Sequence, residues 1–409
     1  MLGSVRSLTI AGASALAIAL AASPAAAQKK YDDGASDTEI KIGHINPYSG
    51  NASAYGQIGK AIAAYFNMVN DNGGINGRKV KFVTEDDGYN PAKTVEMARK
   101  LVEEEKVLLI FQSLGTPSNT AIHKYMNAKK VPQLFVATGA SKWGDPKNFP
   151  WTMGWQPDYA TEGAIYAKHI LSTVKDAKIG VLMQNDDYGK DYFNGFKSGL
   201  GKDANKIVQV ATYEVTDPTV DSQMIQLKNS GANVFFNITT PKFAAQAIKK
   251  AAEIGWKPVH YLNNVSVSVG AVMKPAGLEA SQGILTASYI KDATDPQWAK
   301  SPDMIAWNKF MDKYLPQGDK SSSFNVYGYA VAATMTEVLK RCGDDLTRAN
   351  VMKQASSLKN LENPLLLPGI KINTSPTDFF PIQSVQLSRF EGETWKLFGE
   401  VLSNEAQSQ

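Results

Sequence analysis

The sequence predicts an α/β protein built on doubly wound, mostly parallel sheets, and three observations carry that prediction. Apolar runs rich in β-branched and aromatic residues recur at 107–111, 133–136, 179–183, 234–238 and 283–287. Uninterrupted runs of this length suit parallel strands buried on both faces. Between them lie helical patterns at 91–105, 118–129, 159–174, 190–200, 220–230, 242–255 and 324–341, and strand alternating with helix is the pattern of a doubly wound sheet. The chain has 409 residues; once the leader described below is removed, about 380 remain, too many for one core and enough for two domains of ordinary size.

The first βα unit spans 38–91. Ile40 to Ile45 reads as a strand, and a small-residue loop follows from Pro47 to Gly56. Ile62, Tyr65, Phe66 and Val69 then share one helical face. That helix stops at Asn72-Gly73-Gly74, where positive φ is tolerated, and a second strand follows. The loop matters most, because ligands of open α/β sheets bind at the carboxyl ends of strands, against helix starts. At the far end, Val385-Gln386-Leu387, Glu391-Gly392 and Trp395-Lys396-Leu397 show the alternation and central turn of a hairpin.

Residues 1–27 are read as a cleavable signal peptide and excluded from the fold. Arg6 precedes an apolar run at 8–22, and Ala25-Ala26-Ala27 makes a small-residue exit. The run is shorter than a membrane-spanning helix needs, so no membrane anchor is expected after cleavage and the mature protein is placed in the periplasm. With Arg6 gone from 43 basic residues against 39 acidic ones, the mature chain is near neutral and offers no case for nucleic acid as partner. Cys342 is the only cysteine, which excludes an intramolecular disulfide.

Motifs then appear in a telling order. Thr38 to Gly43 is followed by Ser49-Gly50, Tyr55-Gly56, Asn72 to Arg78, Asp86-Asp87 and Pro91. Gly139-Ala140-Ser141, Asn185 to Gly189, Asp217-Pro218, Gly231 to Val234, Gly255-Trp256 and Gly283 come after them. In this order and spacing the whole mature chain resembles the type I periplasmic solute-binding proteins of the leucine/isoleucine/valine-binding class. The resemblance implies two Rossmann-like lobes joined by three hinge crossings, with a small-molecule ligand in the cleft delivered to the permease and ATPase subunits of an ABC transporter. It places crossings near 154–158, 286–289 and 379–383. The N-terminal lobe is then 38–156 plus 287–382, and the C-terminal lobe 157–286 plus 383–403.

Candidate ligand contacts follow. Thr116 and Pro117 read as N-cap and first residue of a helix; the same geometry leaves backbone N–H groups at Gly115 and Thr116 for a carboxylate, as the resemblance implies. Gly139, Ala140 and Ser141 follow the next strand, with small residues that permit close approach and one hydroxyl. Tyr188, before a glycine at a helix head, matches a ring that faces the ligand in the family, and Tyr55 matches an aromatic lid. Thr239 and Thr240 end a strand, and Tyr289 lies on a crossing.

One departure bears on specificity. Where the amino-acid binders carry an acid that neutralises the ligand ammonium, this chain has Val265, within Val265-Ser266-Val267-Ser268 and without a neighbouring carboxylate. A desolvated ammonium lacking a counter-ion costs several kcal/mol. The expected ligand is therefore a small organic acid with an aromatic or aliphatic body. A branched-chain amino acid, or a sensing role reporting to a receptor, is the alternative. Glu85-Asp86-Asp87 reads as capping or solvated carboxylates rather than metal ligands. His44, His123, His169 and His260 lack metal-ligand spacing, and no P-loop, G-x-G-x-x-G fingerprint or nucleophile elbow is present. No cofactor, no metal and no catalysis are expected.

Overall fold

The computed structural model describes residues 29–403 and Gly3; the leader expected at 1–27 otherwise lies outside the described residues. In chain order, strands β1 (Lys30–Tyr31) and β2 (Glu39–Asn46) lead into helix α1 (Gly56–Asp71), β3 (Lys79–Asp86), α2 (Pro91–Arg99), β4 (Leu109–Phe111), α3 (Thr116–Lys129), β5 (Gln133–Val136) and β6 (Thr152–Gly154). Strands β3-β2-β4-β5-β6 form one parallel sheet.

The second layer begins with α4 (Tyr159–Thr173), β7 (Ile179–Gln184), α5 (Asp187–Leu200), β8 (Ile207–Tyr213), α6 (Asp221–Asn229) and β9 (Val234–Ile238). It continues through α7 (Pro241–Glu253), β10 (Val259–Leu262), the short α8 (Lys274–Ala276) and β11 (Leu285–Ser288). Helices α9 (Pro302–Tyr314) and α10 (Ser323–Cys342), β12 (Asp345–Leu346) and α11 (Arg348–Ala355) precede the hairpin of β13 (Ser384–Glu391) and β14 (Thr394–Ser403). Its sheet runs β14-β13-β11-β10-β9-β7-β8, parallel except for the antiparallel hairpin, while β12 pairs with β1.

This is the mixed α/β architecture with parallel sheets that the sequence predicts. Every strand of the first sheet precedes residue 155 and every strand of the second follows residue 178. Yet α10, late in the chain, packs on α1 of the first layer so tightly that a Cβ at Gly328 would lie 2.8 Å from Ala61 Cβ and Ile58 O. The chain thus leaves the first layer after β6, returns after β11 and leaves again before β13.

Local chemistry sets the helix starts. The side chains of Asn90, Asp158 and Asp186 accept from the first free N–H groups of α2, α4 and α5. Helix α2 was expected to reach 105; it changes to a π-helical turn over Lys100–Glu104. Helices α4 and α5 cross almost backbone to backbone: a Cβ at Gly195 would lie 2.2 Å from Ala160 Cα, and one at Gly163 2.6 Å from Tyr192 O. Strand β8 was not expected because most of it is only half-buried and lacks a continuous apolar run. The cores of both layers are closed by fully buried rings, including Trp143, Trp155, Phe111, Phe196 and Phe235.

Candidate functional site

The strand ends and helix starts of the two sheets enclose one cavity of about 870 Å³, counting its opening to solvent. From the first layer it is lined by Tyr55 and Ile58 beyond β2, Tyr89 beyond β3, Leu114, Gly115 and Thr116 beyond β4, and Ala137 beyond β5. From the second come Tyr188, Thr240, Asn264, Val265 and Val267, and from the end of β11 and the crossing after it the run Ala287 to Asp292. Gln156, Tyr159, Ser323, Phe324, Tyr327 and Trp395 complete the wall.

Hydrogen bonds fix several of these groups. Tyr55 donates its hydroxyl to Val265 O at 3.1 Å, joining the two layers across the cavity. Gln112 donates to Tyr327 at 3.2 Å, Tyr327 to Gln156 Oε1 at 3.1 Å, and Gln156 to Tyr159 at 3.3 Å. The Tyr159 ring stacks on Tyr192 with centroids 4.2 Å apart and meets Tyr188 edge-on at 5.5 Å. Tyr188 is 2% exposed and its hydroxyl has no protein partner. Burial drives the Tyr55, Tyr89, Tyr188 and Tyr289 hydroxyls well above the usual phenol range, so all four are neutral phenols.

Behind Asn264, the fully buried Glu162 accepts from Asn264 N at 2.8 Å and Asn264 Nδ2 at 2.5 Å, and from the hydroxyls of Tyr166 and Tyr192 at 2.7 and 2.8 Å. Burial pushes its carboxyl up to about 7 against the pull of those donors. Tyr89 is positioned in a similar way. Asp87 accepts from its N–H at 2.9 Å, from Thr94 Oγ1 at 2.7 Å and from Ser118 Oγ at 3.0 Å, tying the loop after β3 to the first turn of α3.

The lining has two charged residues, and both are engaged elsewhere. Lys291 Nζ bonds the Asp303 carboxylate and Pro364 O. Asp292 accepts from Thr294 N and Oγ1 at 3.0 and 2.7 Å, and from Thr394 Oγ1 and Trp395 N, both at 2.9 Å. Helices α3, α7 and α10 all begin at the cavity without a side-chain cap. At α7 the Tyr213 hydroxyl takes the Thr240 N–H at 3.0 Å.

Seven of the eleven expected contacts therefore meet around one cavity: Tyr55, Gly115, Thr116, Tyr188, Thr240, Val265 and Tyr289. Four do not line it. Gly139 is spent on packing, because a Cβ there would lie 2.3 Å from Pro157 O. Ala140 is buried beside it. Ser141 turns to Asp191, and Thr239 turns its hydroxyl to Asn237 Oδ1 at 2.6 Å. Thr116 is not the cap of α3 but its first residue; Gly115 caps it at φ +95°, and Thr116 Oγ1 pairs with Thr138 Oγ1 at 2.6 Å. The expectation that no carboxylate is near Val265 is corrected by Glu162, which accepts from the adjoining Asn264, while Asp292 lines the same cavity.

Sequence reasoning missed Tyr89, Tyr159, Tyr327 and Trp395. Tyr89, like Tyr55, is an aromatic residue in a loop after a strand, a local signal that could have found it without a family match. Among the described residues no group of three or more His, Cys, Asp or Glu is placed to hold a metal, and no helix is long and apolar enough to cross a membrane.

Residues 39–394 match the family model described as periplasmic binding protein. A Leu/Ile/Val-binding protein homolog 1 of Brucella suis biovar 1 is 23% identical over 337 residues, which is 80% of this chain and 86% of that protein. A branched-chain amino acid ABC transporter structure from Thermus thermophilus with bound valine superposes at TM-score 0.81 with 17% identity, covering 90% of this chain and 97% of that one. A solute-binding protein of an ABC transporter from Rhodopseudomonas palustris in complex with 4-hydroxybenzoate superposes at TM-score 0.74 with 19% identity, covering 89% and 96%. These structural likenesses concern the fold, whereas the family match extends over most of the chain; this protein is a member of the periplasmic binding protein family.

Proposed function

We propose that this chain is the extracytoplasmic solute-binding component of an ABC uptake transporter and that it binds a small organic acid, aromatic or aliphatic, in the cavity between its two lobes. The lobes are 38–156 plus 287–382 and 157–286 plus 383–403, and the receiving partners are the permease and ATPase subunits. The reading is of a binding protein, not an enzyme, in keeping with the family. Ligand contacts from both lobes would favour the closed arrangement, since only differential affinity for that state can drive closure.

The observation that carries the ligand class is the cavity wall. Neutral phenols and apolar side chains make up most of it, beside the amides of Gln156 and Asn264 and the hydroxyls of Thr116, Thr240, Ser288 and Ser323. Its two charged side chains are already hydrogen-bonded, and the helix starts at Thr116 and Ser323–Phe324 lack side-chain caps, although the Gly115 N–H itself is given to Ala137 O at 3.3 Å. Uncapped N–H groups suit a carboxylate, and tyrosine rings suit an aromatic or aliphatic body. The similar fold of the Rhodopseudomonas palustris protein in complex with 4-hydroxybenzoate supports this reading. A second reading rests on Asp292, the carboxylate in the wall, which would serve an amino-acid ammonium if it exchanged one of its present partners.

Thermal-shift and calorimetric titration of the chain lacking residues 1–27 with benzoate, 4-hydroxybenzoate, octanoate, leucine and valine separates the two. Ligand that binds only the native state raises the melting temperature, so the acids should raise it and the amino acids should not. A strong shift with leucine that disappears in Asp292→Asn would replace the first reading by the second.

A further inference from the structure

The two layers also meet outside the cavity. Ser141, on the loop after β5, donates its N–H to Asp191 Oδ2 at 3.0 Å, and its hydroxyl lies 2.9 Å from both Asp191 oxygens and 3.2 Å from Asp158 Oδ1. Beside it Lys142 Nζ is 2.6 Å from an Asp187 oxygen. A second bridge starts from the loop after β2: Asn51 Nδ2 donates to Val215 O at 2.7 Å, and Asn51 Oδ1 accepts from Lys242 Nζ at 2.9 Å. Neither Asn51 nor Ser141 nor Asp191 lines the cavity.

We propose that Asn51 and the Ser141–Asp191 pair are positioning residues for ligand capture: they latch the lobes in the closed arrangement and so set affinity without touching the ligand. The proposal rests on the two-lobe reading above. Each bond links a first-layer loop to a second-layer segment, so separation of the lobes breaks it and returns both partners to water. An interaction present in one state only shifts the equilibrium by its full differential worth, wherever it lies. Asn51 is well suited to this because both ends of its amide are used, one as donor and one as acceptor, toward two different second-layer segments.

Asp191 adds a proton to the latch. The charges that act on it are Asp158 at the start of α4, which shares the Ser141 hydroxyl, and Lys142 on the loop after β5. Burial, reinforced by the like charge of Asp158, pushes the Asp191 carboxyl up to about 6 despite the Ser141 donors. In separated lobes the same carboxyl is hydrated and returns toward the ordinary carboxylate range. An acid with the higher pKa in the closed state takes up a proton on closing, so closure strengthens as pH falls through about 6.

The test uses the chain lacking residues 1–27 and 4-hydroxybenzoate, which stays ionised from about pH 5.5 to 7.5. Asn51→Ala and Ser141→Ala are expected to raise Kd roughly five- to tenfold, with ligand-free melting unchanged and with Ser141→Thr restoring affinity. Wild-type affinity is expected to rise severalfold between about pH 7.5 and 5.5, and Asp191→Asn to flatten that profile. Affinities within twofold in both alanine variants, or an unaltered pH profile in Asp191→Asn, overturn the latch.

Failure of 4-hydroxybenzoate to bind would count against the ligand class, and the latch is then read without ligand. Nitroxides on Lys124→Cys in α3 and Ser222→Cys in α6, both exposed, report the lobe separation while the buried Cys342 stays unlabelled. The distance distribution should shorten on acidification in wild type and not in Asp191→Asn. A distribution indifferent to both changes refutes the proposal.

Discussion

Tyr55→Phe is the most direct probe of the cavity as a two-sided clamp. The substitution keeps the ring, which packs against Phe324 with centroids 5.2 Å apart, and removes only the hydroxyl that donates to Val265 O at 3.1 Å. A net hydrogen bond contributes about 1 kcal/mol, and a half-buried carbonyl left without its donor adds up to about the same again. If the lobes separate as proposed, both groups are hydrated there, and the loss falls on closure and not on folding. The expected result is a Kd raised roughly five- to thirtyfold for the acids that bind wild type, with ligand-free melting unchanged. Isothermal titration calorimetry and differential scanning calorimetry on the same samples give both numbers. Affinity within twofold of wild type would show that the bond adds nothing to capture. A ligand-free melting temperature lowered by about 2–4 °C would show that the bond is already made without ligand, and hence that the lobes do not separate there.

Two further predictions concern the platform beneath the cavity. Gly195→Val places branched carbons where even a Cβ lies 2.2 Å from Ala160 Cα and O; α4 and α5 must part at a cost of several kcal/mol. Circular-dichroism melting should fall by more than about 5 °C, or soluble protein should be lost, and melting within about 2 °C of wild type would refute the backbone contact. Glu162, raised from 4.5 to about 7 by burial, keeps its proton when folded and releases it on unfolding between those values. Its contribution is therefore complete below about pH 4.5 and is lost as pH rises to about 7, some 3 kcal/mol in order of magnitude. Melting temperature should decline from about pH 5 to 8, less steeply in Glu162→Gln, and equal slopes would refute the assignment.

The frame of this protein was legible because buried parallel strands announce themselves. The runs at β4, β5, β7 and β9 and the helices after them fall where apolar continuity and helical periodicity put them. What escaped was either short or half wet. Strand β6 has three residues, β8 alternates without a clear period, and α9 has a mixed surface. The cavity lining was legible at Gly115, Thr116 and Thr240 from position relative to a strand end, and at Tyr55, Tyr188 and Val265 through the family resemblance. It was not legible where a polar group chose between cavity and protein. Ser141 and Thr239 follow strands as Thr116 does, but their partners, Asp191 at 50 residues' distance and Asn237 at two, are selected by tertiary placement that no local pattern reports. Asp292 and Trp395 reach the wall from the crossing and the terminal hairpin, through a contact 103 residues apart in sequence.

The glycine-lined crossing of α4 and α5 has a consequence for how such a protein can change. With backbone against backbone at Gly163 and Gly195, the two helices cannot slide, and Tyr159 and Tyr188 at their starts travel as a single part. New ligand tastes must then arise in the loops that follow the strands, where Gly115, Val265 and Tyr289 stand, while the platform stays constant. Anyone retargeting the protein as a sensor can vary Val265 and Tyr289, must keep glycine at 115, where φ is +95° and a Cβ would lie 2.4 Å from the Tyr89 ring, and should leave the two helices alone.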